Sequence, residues 1–186
     1  QRLPDAIPAD GEKGGTVRIV AARGEYEPGS FVVRSDADLG KVQPKVGKLV
    51  NEKGDVFPAD ALDLTVVKVW YQNKNGWRSY FADTELKLIP ELLLNDEDLI
   101  KVDTEKTANY ARLTEKDGTV HYHWLTPPPA VDNLLEHMGQ TTYRMDGSFR
   151  SMKPNFKDSK TFAGATLDEG AFKQFFLTAH VTEDCK

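Results

Sequence analysis

The sequence contains very little cysteine, no long apolar run and no cluster of positive charge. Its one cysteine, Cys185, is next to the last of 186 residues, so the chain has no disulfide framework. No stretch approaches the roughly 20 apolar residues of a membrane-spanning helix, which predicts no membrane span. With 24 Lys and Arg against 29 Asp and Glu, the net charge is −5. A nucleic-acid-binding domain normally carries a basic patch, so no nucleic acid is expected as a partner.

The sequence also lacks the short motifs of several enzyme classes. It has no P-loop, no G-x-S-x-G nucleophile elbow and no H-E-x-x-H zinc motif. Adjacent acid pairs at 96–97, 168–169 and 183–184 contain the residue type that glycoside hydrolysis uses. However, neighbouring residues point to opposite sides of a strand, and these pairs lie in turn-like contexts. They are interpreted as solvated turn residues, and no catalytic residue is assigned.

His121 and His123 are the nearest approach to a metal-ligand pair. They are two positions apart on a predicted strand, so both imidazoles face the same side, and this spacing can bind zinc where a third ligand converges. No third ligand is evident nearby. The pair is therefore interpreted as the polar face of a hairpin, and neither a metal nor another cofactor is predicted.

Short strands separated by turn signals dominate the remaining sequence. The β-branched and aromatic run at 63–72 predicts a central strand, and Asp117-Gly118 predicts the turn of a hairpin. Pro44 would restrict its own strand to a sheet edge. Asn51–Asp55 reads as a turn in which Gly54 takes a positive φ. Further strands are predicted from apolar periodicity at 16–21, 30–34, 41–50 and 171–181.

Two segments do not follow this strand pattern. Pro90 and Glu91 suit the first turn of a short helix over 90–100. A long loop without clear periodicity runs from about 127 to 161, with one short helix possible at 131–138. The pattern predicts an all-β fold, an antiparallel β-sandwich of Ig-like or jelly-roll-like type with one or two short helices. We expect a single domain over 1–186 that is part of a longer protein.

The stretch "ARGEYEPGSF" raises the question of whether its charges form a pocket or a corner. Gly24 and Gly29 permit tight backbone geometry, and Pro28 fixes φ before the following strand. If φ is positive at these glycines, a β-branched substitution there would be costly. Any ion pair from Arg23 to Glu25 or Glu27 would contribute little if exposed. The stretch is therefore interpreted as a corner of the fold.

Aromatic residues are concentrated between positions 70 and 81. Most are expected in the core, but Trp77 follows the turn "NKNG" and is less enclosed than Trp70. Flat aromatic faces can stack on sugar rings, and Arg78 beside Trp77 could bind hydroxyl or carboxylate groups. The long loop could also contribute contacts. The candidate carbohydrate-binding residues are Trp77, Arg78, Tyr80, Tyr143 and Arg144.

Four segments together resemble the N-terminal β-sandwich domain of bacterial proteins related to glycoside hydrolase family 123. They are "ARGEYEPGSF" at 22–31, "VKVWY" at 67–71, "PELLLNDEDLIKVD" at 90–103 and "GAFKQFFLTAHV" at 170–181. In such proteins a catalytic (β/α)₈ barrel follows, with an adjacent Asp-Glu pair and a substrate acetamido group as nucleophile. The chain is too short for that barrel and lacks its strand–helix repeats, so no catalytic residue is carried over.

The resemblance implies an accessory role in a glycan-degrading protein. The leading expectation is a non-catalytic domain that positions a downstream catalytic domain of the same polypeptide or contacts polysaccharide. One alternative is a carbohydrate-binding module with its own aromatic platform. Another is a part of a glycoside hydrolase that contributes loop residues to the active site. A secreted, periplasmic or cell-surface location is expected, with oligosaccharide or polysaccharide as the partner.

Overall fold

The computed structural model describes residues 14–73, 86–115, 117–125, 156–183 and 185. In these residues the chain is built of strands and two single turns of 3₁₀ helix, at Ala59–Ala61 and Glu97–Leu99. The fold is all-β with antiparallel sheets, which confirms the predicted all-β class; the sandwich arrangement stays a prediction. The strands are β1 Tyr26–Arg34, β2 Gly40–Val42, β3 Leu49–Val50, β4 Val56–Phe57, β5 Leu62–Asn73, β6 Leu86–Leu94, β7 Ile100–Asp103, β8 Ala108–Thr114, β9 Val120–Trp124, β10 Ala165–Leu167 and β11 Phe172–His180.

The chain divides into two compact units. Unit 1 comprises 1–69, 90–97 and 158–186, and unit 2 comprises 70–89 and 98–157. The largest sheet has the order β1-β11-β5-β6, and two-stranded sheets pair β10 with β2 and β3 with β4. A three-stranded sheet, β7-β8-β9, belongs to unit 2. The strands β5 and β6 each contribute residues to both units.

Strand β5 lies inside the four-stranded sheet, between β11 and β6, as its β-branched sequence predicts. Its neighbour β11 confirms the strand predicted near the end of the sequence. Phe175 of β11 is fully buried, stacks on Phe31 with ring centroids 5.3 Å apart, and meets Phe162 edge-on at 5.9 Å. Val66 and Leu167 are also fully buried, so these aromatic and aliphatic side chains form the core of unit 1.

The segment 16–21 is not a strand, contrary to the sequence prediction. It nevertheless packs on the sheet, because a Cβ added at Gly29 would lie 2.8 Å from Val17 Cγ1 and 3.1 Å from Ile19 Cδ1. Apolar alternation therefore identified the inward-facing side chains but not the absence of strand pairing. Gly24 has a positive φ, +81°, whereas Gly29 does not.

The helix predicted over 90–100 is wrong. Pro90 and Glu91 lie inside strand β6, and only Glu97–Leu99 forms a single 3₁₀ turn. Within the described part of the chain, β6 is an edge strand of its sheet. An edge position tolerates the missing N–H of proline, and Pro28 lies in the other edge strand, β1, for the same reason.

One strand prediction and one turn prediction had different outcomes. The strand predicted through 41–50 is not continuous, because β2 ends at Val42, before Pro44, and β3 begins only at Leu49. The turn at 51–55 is confirmed: it joins β3 to β4, and Gly54 has a φ of +87°. Asn51 Oδ1 accepts hydrogen bonds from the N–H groups of Lys53 and Asp55, both at 2.9 Å, which fixes this hairpin.

The three-stranded sheet of unit 2 contains the predicted hairpin at Asp117-Gly118, where Gly118 has a φ of +88°. Its buried positions include Ile100, Ala111 and Asn109. The Asn109 amide donates to Tyr71 O at 2.7 Å, and Tyr71 N donates to Asn109 Oδ1 at 2.9 Å. This double hydrogen bond satisfies a buried polar side chain in the way that buried polar groups require.

Candidate functional site

The carbohydrate-binding residues predicted from the sequence all lie outside the described residues. The same holds for the helix predicted at 131–138 and for residues 126–155 of the predicted long loop. The described end of that loop, 156–161, contains no strand or helix. The predicted platform therefore stays a prediction. The residues concerned are Trp77, Arg78, Tyr80, Tyr143 and Arg144.

The acid pair at 96–97 is not a pair of solvated turn residues, because Glu97 is buried, with 5% of its side chain exposed. Glu97 Oε2 lies 2.5 Å from Lys173 Nζ, and its Oε1 accepts a hydrogen bond from Thr166 N. The Asp158 carboxylate accepts from Asn95 N and Asp96 N at 2.7 and 2.9 Å. These carboxylates join segments distant in sequence, so their role is structural.

The two histidines take different partners although they lie on the same side of β9. His121 Nε2 is 3.4 Å from Glu115 Oε1, and the His123 ring lies 6.4 Å from that of Phe156. No group of three or more His, Cys, Asp or Glu side chains in the described ranges could hold a metal ion. The histidine pair thus lacks a converging third ligand among these residues.

The other side of the same sheet carries an aromatic and cationic surface that the sequence reading did not assign. In antiparallel strands, directly opposite residues share a face. Lys101 of β7 is opposite Tyr110 of β8, which is opposite Trp124 of β9. Two positions along, Arg112 is opposite Tyr122. We call this surface the β7–β9 aromatic face; it consists of Lys101, Tyr110, Arg112, Tyr122 and Trp124.

The contact of Lys101 with Tyr122 confirms that these residues share a face. The Lys101 Nζ lies 5.8 Å from the centroid of the Tyr122 ring, within the range of a cation–π interaction. Strands β7 and β9 are two strand spacings apart, about 9.5 Å. The contact between Lys101 and Tyr122 therefore spans β8 through the length of the two side chains.

The β7–β9 aromatic face is accessible and carries cationic side chains. Tyr122 is 47% exposed and Lys101 is exposed, while Tyr110, Arg112 and Trp124 are partly exposed. Asp103, at the end of β7, accepts a hydrogen bond from Lys106 N at 3.0 Å and lies 3.9 Å from Lys106 Nζ. Three partly exposed rings with two cations form a surface suited to stacking and to charge-assisted hydrogen bonding.

Alternation and hairpin register together could have identified this face from the sequence. "NYARL" places Tyr110 and Arg112 on one side of a strand, and "VHYHW" places Tyr122 and Trp124 on one side of the next. The hairpin turn brings the two sides together. Considered apart, the two strands appeared to hold only core aromatics and polar histidines.

Unit 1 offers two other surface features. Tyr26, 65% exposed, stacks on His180 with ring centroids 4.1 Å apart and an interplanar angle of 1°. Three apolar grooves of about 350, 520 and 250 Å³ meet at Leu49 of β3. Val50 and Val56 of the same hairpin are also exposed. Neither feature combines several rings with cations as the β7–β9 aromatic face does.

Among the described residues, no helix has the length and apolar character needed to cross a membrane.

Comparison with known proteins adds no functional information to this geometry. Searches against family models, curated proteins and solved structures found no match to this chain.

Proposed function

We propose that the chain is a non-catalytic accessory domain of a secreted or surface bacterial glycan-degrading protein, and that it contacts polysaccharide through the β7–β9 aromatic face. The observation that carries this proposal is the alignment of Tyr110, Tyr122 and Trp124 on one accessible sheet face. Sugar rings present flat C–H faces that stack on aromatic rings through dispersion. The resemblance to family 123-related proteins supports the same setting.

A sheet face without a deep pocket is expected to bind weakly. Stacking on an open surface recovers little of the translational and rotational entropy that association costs. Dissociation constants in the micromolar to millimolar range are therefore expected. Such affinities suit a domain that keeps a catalytic domain near a polymer, because many weak contacts to one chain add up.

A binding experiment with matched tyrosine variants tests this proposal. A glycan array would first identify ligands, and titration followed by tryptophan fluorescence would then measure affinity, since Trp124 lies on the face. Tyr122→Ala should weaken binding about 2- to 10-fold, the value of one aromatic contact. Tyr26→Ala, which removes an exposed tyrosine of unit 1, should leave affinity unchanged. Equal effects of both substitutions, or no glycan bound at all, would contradict the proposal.

A second role, the positioning of a catalytic domain, is favoured by the exposed apolar β3–β4 hairpin. Leu49, Val50 and Val56 expose aliphatic surface beside the grooves of unit 1, a feature typical of protein contacts. In this role Val50→Lys should weaken association with the separately produced catalytic domain of the parent protein. Calorimetric titration would measure this, and Tyr122→Ala is the control. Unchanged association in Val50→Lys would exclude the hairpin.

The proposal assigns no catalytic residue to this chain. The (β/α)₈ barrel that the resemblance places downstream requires repeated helices, whereas the described residues form only single 3₁₀ turns. We therefore expect the purified chain to hydrolyse neither aryl glycosides nor polymers containing N-acetylgalactosamine. Reducing-end assays at high protein concentration would check this. Activity that survives repurification and disappears with a point mutation would overturn it.

A further inference from the structure

We infer that the β7–β9 aromatic face selects anionic glycans, whose sugars carry carboxylate or sulfate groups, over neutral ones. This inference rests on the proposed function and specifies the ligand class of the same surface. It depends on the two cations among the rings, Lys101 and Arg112. A surface for neutral sugars would need the rings and neutral hydrogen-bonding groups alone.

Lys101 places a cation next to one of the rings. Its ammonium group lies over the Tyr122 ring, 5.8 Å from the centroid. A sugar stacked beside that ring would bring an exocyclic carboxylate or a sulfate close to the lysine Nζ.

Arg112 is the second cation on the β7–β9 aromatic face. Register places it on the strand next to Tyr122, with Tyr110 two residues away on the same face of β8. A guanidinium group can form two parallel hydrogen bonds to one carboxylate or sulfate, which a neutral hydroxyl cannot match. Lys101 and Arg112 thus place cations beside the rings on two neighbouring strands.

The charge close to a bound sugar differs from the net charge of the chain. The chain carries a net charge of −5, so its field as a whole disfavours a polyanion. On the β7–β9 aromatic face, however, the ammonium group of Lys101 lies 5.8 Å from the centroid of the Tyr122 ring, on which a sugar would stack. At 0.1 M salt, charges beyond about 10 Å are largely screened, so this nearby cation acts on a bound sugar more than distant charges do.

The test compares pairs of ligands that differ only in charge. Oligogalacturonate and its methyl ester form one pair, and sulfated and desulfated chondroitin form a second. We expect the more highly charged member of each pair to bind more tightly, with a preference that decreases between 50 and 500 mM salt. Lys101→Met keeps the apolar stem and removes the charge. It should reduce affinity for the charged member about 2- to 5-fold and leave the neutral ester unaffected.

Two controls distinguish charge at this face from charge in general. Lys53→Met removes a cation from the β3–β4 turn of unit 1 and should change neither affinity. Lys101→Arg should keep the preference for the charged ligand. Thermal unfolding of each variant would confirm that the fold is retained, and Lys101 is exposed, so its substitution should be well tolerated.

The outcomes separate this inference from the proposed function. Equal binding of charged and uncharged members, or an equal loss for both in Lys101→Met, overturns the anionic selectivity but leaves glycan contact standing. Binding to no glycan on the array overturns both. Lys101-dependent binding to anionic phospholipid vesicles, with no binding to glycans, would also overturn both and assign the face to a membrane surface.

Discussion

Gly24 and Gly29 are both required by the fold, but for different physical reasons. Gly24 has a φ of +81°, which side-chain-bearing residues rarely adopt. Gly29 has an ordinary β-strand conformation, and its constraint is space: a Cβ there would overlap Val17 and Ile19. One residue type therefore serves a backbone requirement at one position and a packing requirement five positions later.

A double-mutant cycle with Val17→Ala separates these two constraints. Gly24→Ala should destabilise by about 1–2 kcal/mol through backbone strain, whether or not Val17 is shortened. Gly29→Ala should cost about 1–3 kcal/mol through overpacking, and Val17→Ala should relieve much of that cost because it removes the overlapping Cγ1. Chemical denaturation of the single and double variants would measure the coupling. Additive effects at Gly29 and Val17 would contradict the packing explanation.

The buried pair of Glu97 and Lys173 makes a second residue-scale prediction. Lys173→Met would leave the carboxylate with the Thr166 amide as its remaining partner in this cluster. Because Lys173 is 26% exposed, water can enter, and we expect a loss of about 1–3 kcal/mol, below the cost of breaking a fully buried pair. Glu97→Gln should recover part of this loss in the Lys173→Met background, since a neutral amide oxygen still accepts from Thr166.

Urea denaturation of these variants would test the pair, with Lys48→Met as the control for loss of an exposed lysine. That control should change stability by less than about 0.5 kcal/mol. If Glu97→Gln were equally costly with and without Lys173, then the two side chains would not act as a pair.

At the scale of elements, the turn of the β8–β9 hairpin contains a carboxylate that binds the backbone. Asp117 Oδ1 accepts a hydrogen bond from Thr119 N at 2.9 Å. This backbone hydrogen bond, followed by one from the Thr119 hydroxyl, lowers the pKa of Asp117 below its ordinary value of 3.8. A lowered folded pKa means that ionised Asp117 stabilises the turn above pH 3.8, and that this support is lost as the pH falls through the folded pKa.

An NMR titration between pH 6 and pH 2 would check this pH dependence. The chemical shift of the Thr119 amide should change with a midpoint below 3.8, as the carboxylate that it contacts becomes protonated. In Asp117→Asn the amide oxygen still accepts the hydrogen bond and does not titrate, so the same resonance should stay constant. A midpoint at or above 3.8 in the unsubstituted chain would contradict a stabilised carboxylate.

The strands that the sequence predicts well are those whose side chains alone determine their place. The run at 63–72 is β-branched and apolar on both faces, which only an inner strand such as β5 satisfies. The segment 16–21 and strand β6 depend instead on tertiary context. Alternation does not distinguish a paired strand from an unpaired segment packed on a sheet, and Pro90 suits both a helix start and an edge strand.

The candidate site was harder to predict than the fold because it depends on register. Each of its rings taken singly fits a core position, since aromatic residues dominate cores. Only the pairing of Tyr110 with Trp124 and of Arg112 with Tyr122 assembles a face. Lys101 gave no signal of its own, because its contact with Tyr122 spans two strand spacings and is not local in sequence.

At the scale of the whole molecule, the arrangement into two units separates stability from the proposed contact surface. The large core built around Phe175 belongs to unit 1, whereas the β7–β9 aromatic face belongs to unit 2. The smaller sheet is stabilised by buried aliphatic residues and by the Asn109 amide, which bonds both polar groups of the Tyr71 backbone. A change at Asn109 should therefore affect one unit more than the other.

Asn109→Ala should selectively destabilise unit 2. Asn109 is 1% exposed, and its removal would leave the Tyr71 N–H and C=O without these partners, at a cost of about 2–4 kcal/mol. Hydrogen exchange followed by mass spectrometry should show protection lost first in β8 and β9, while the β1–β11 ladder keeps its protection. Thr114→Ala, at an exposed position of the same strand, is the control and should change neither region. Equal loss of protection in the β1–β11 ladder and in β8–β9 would mean that the two units unfold as one, and Asn109 would then support the whole chain.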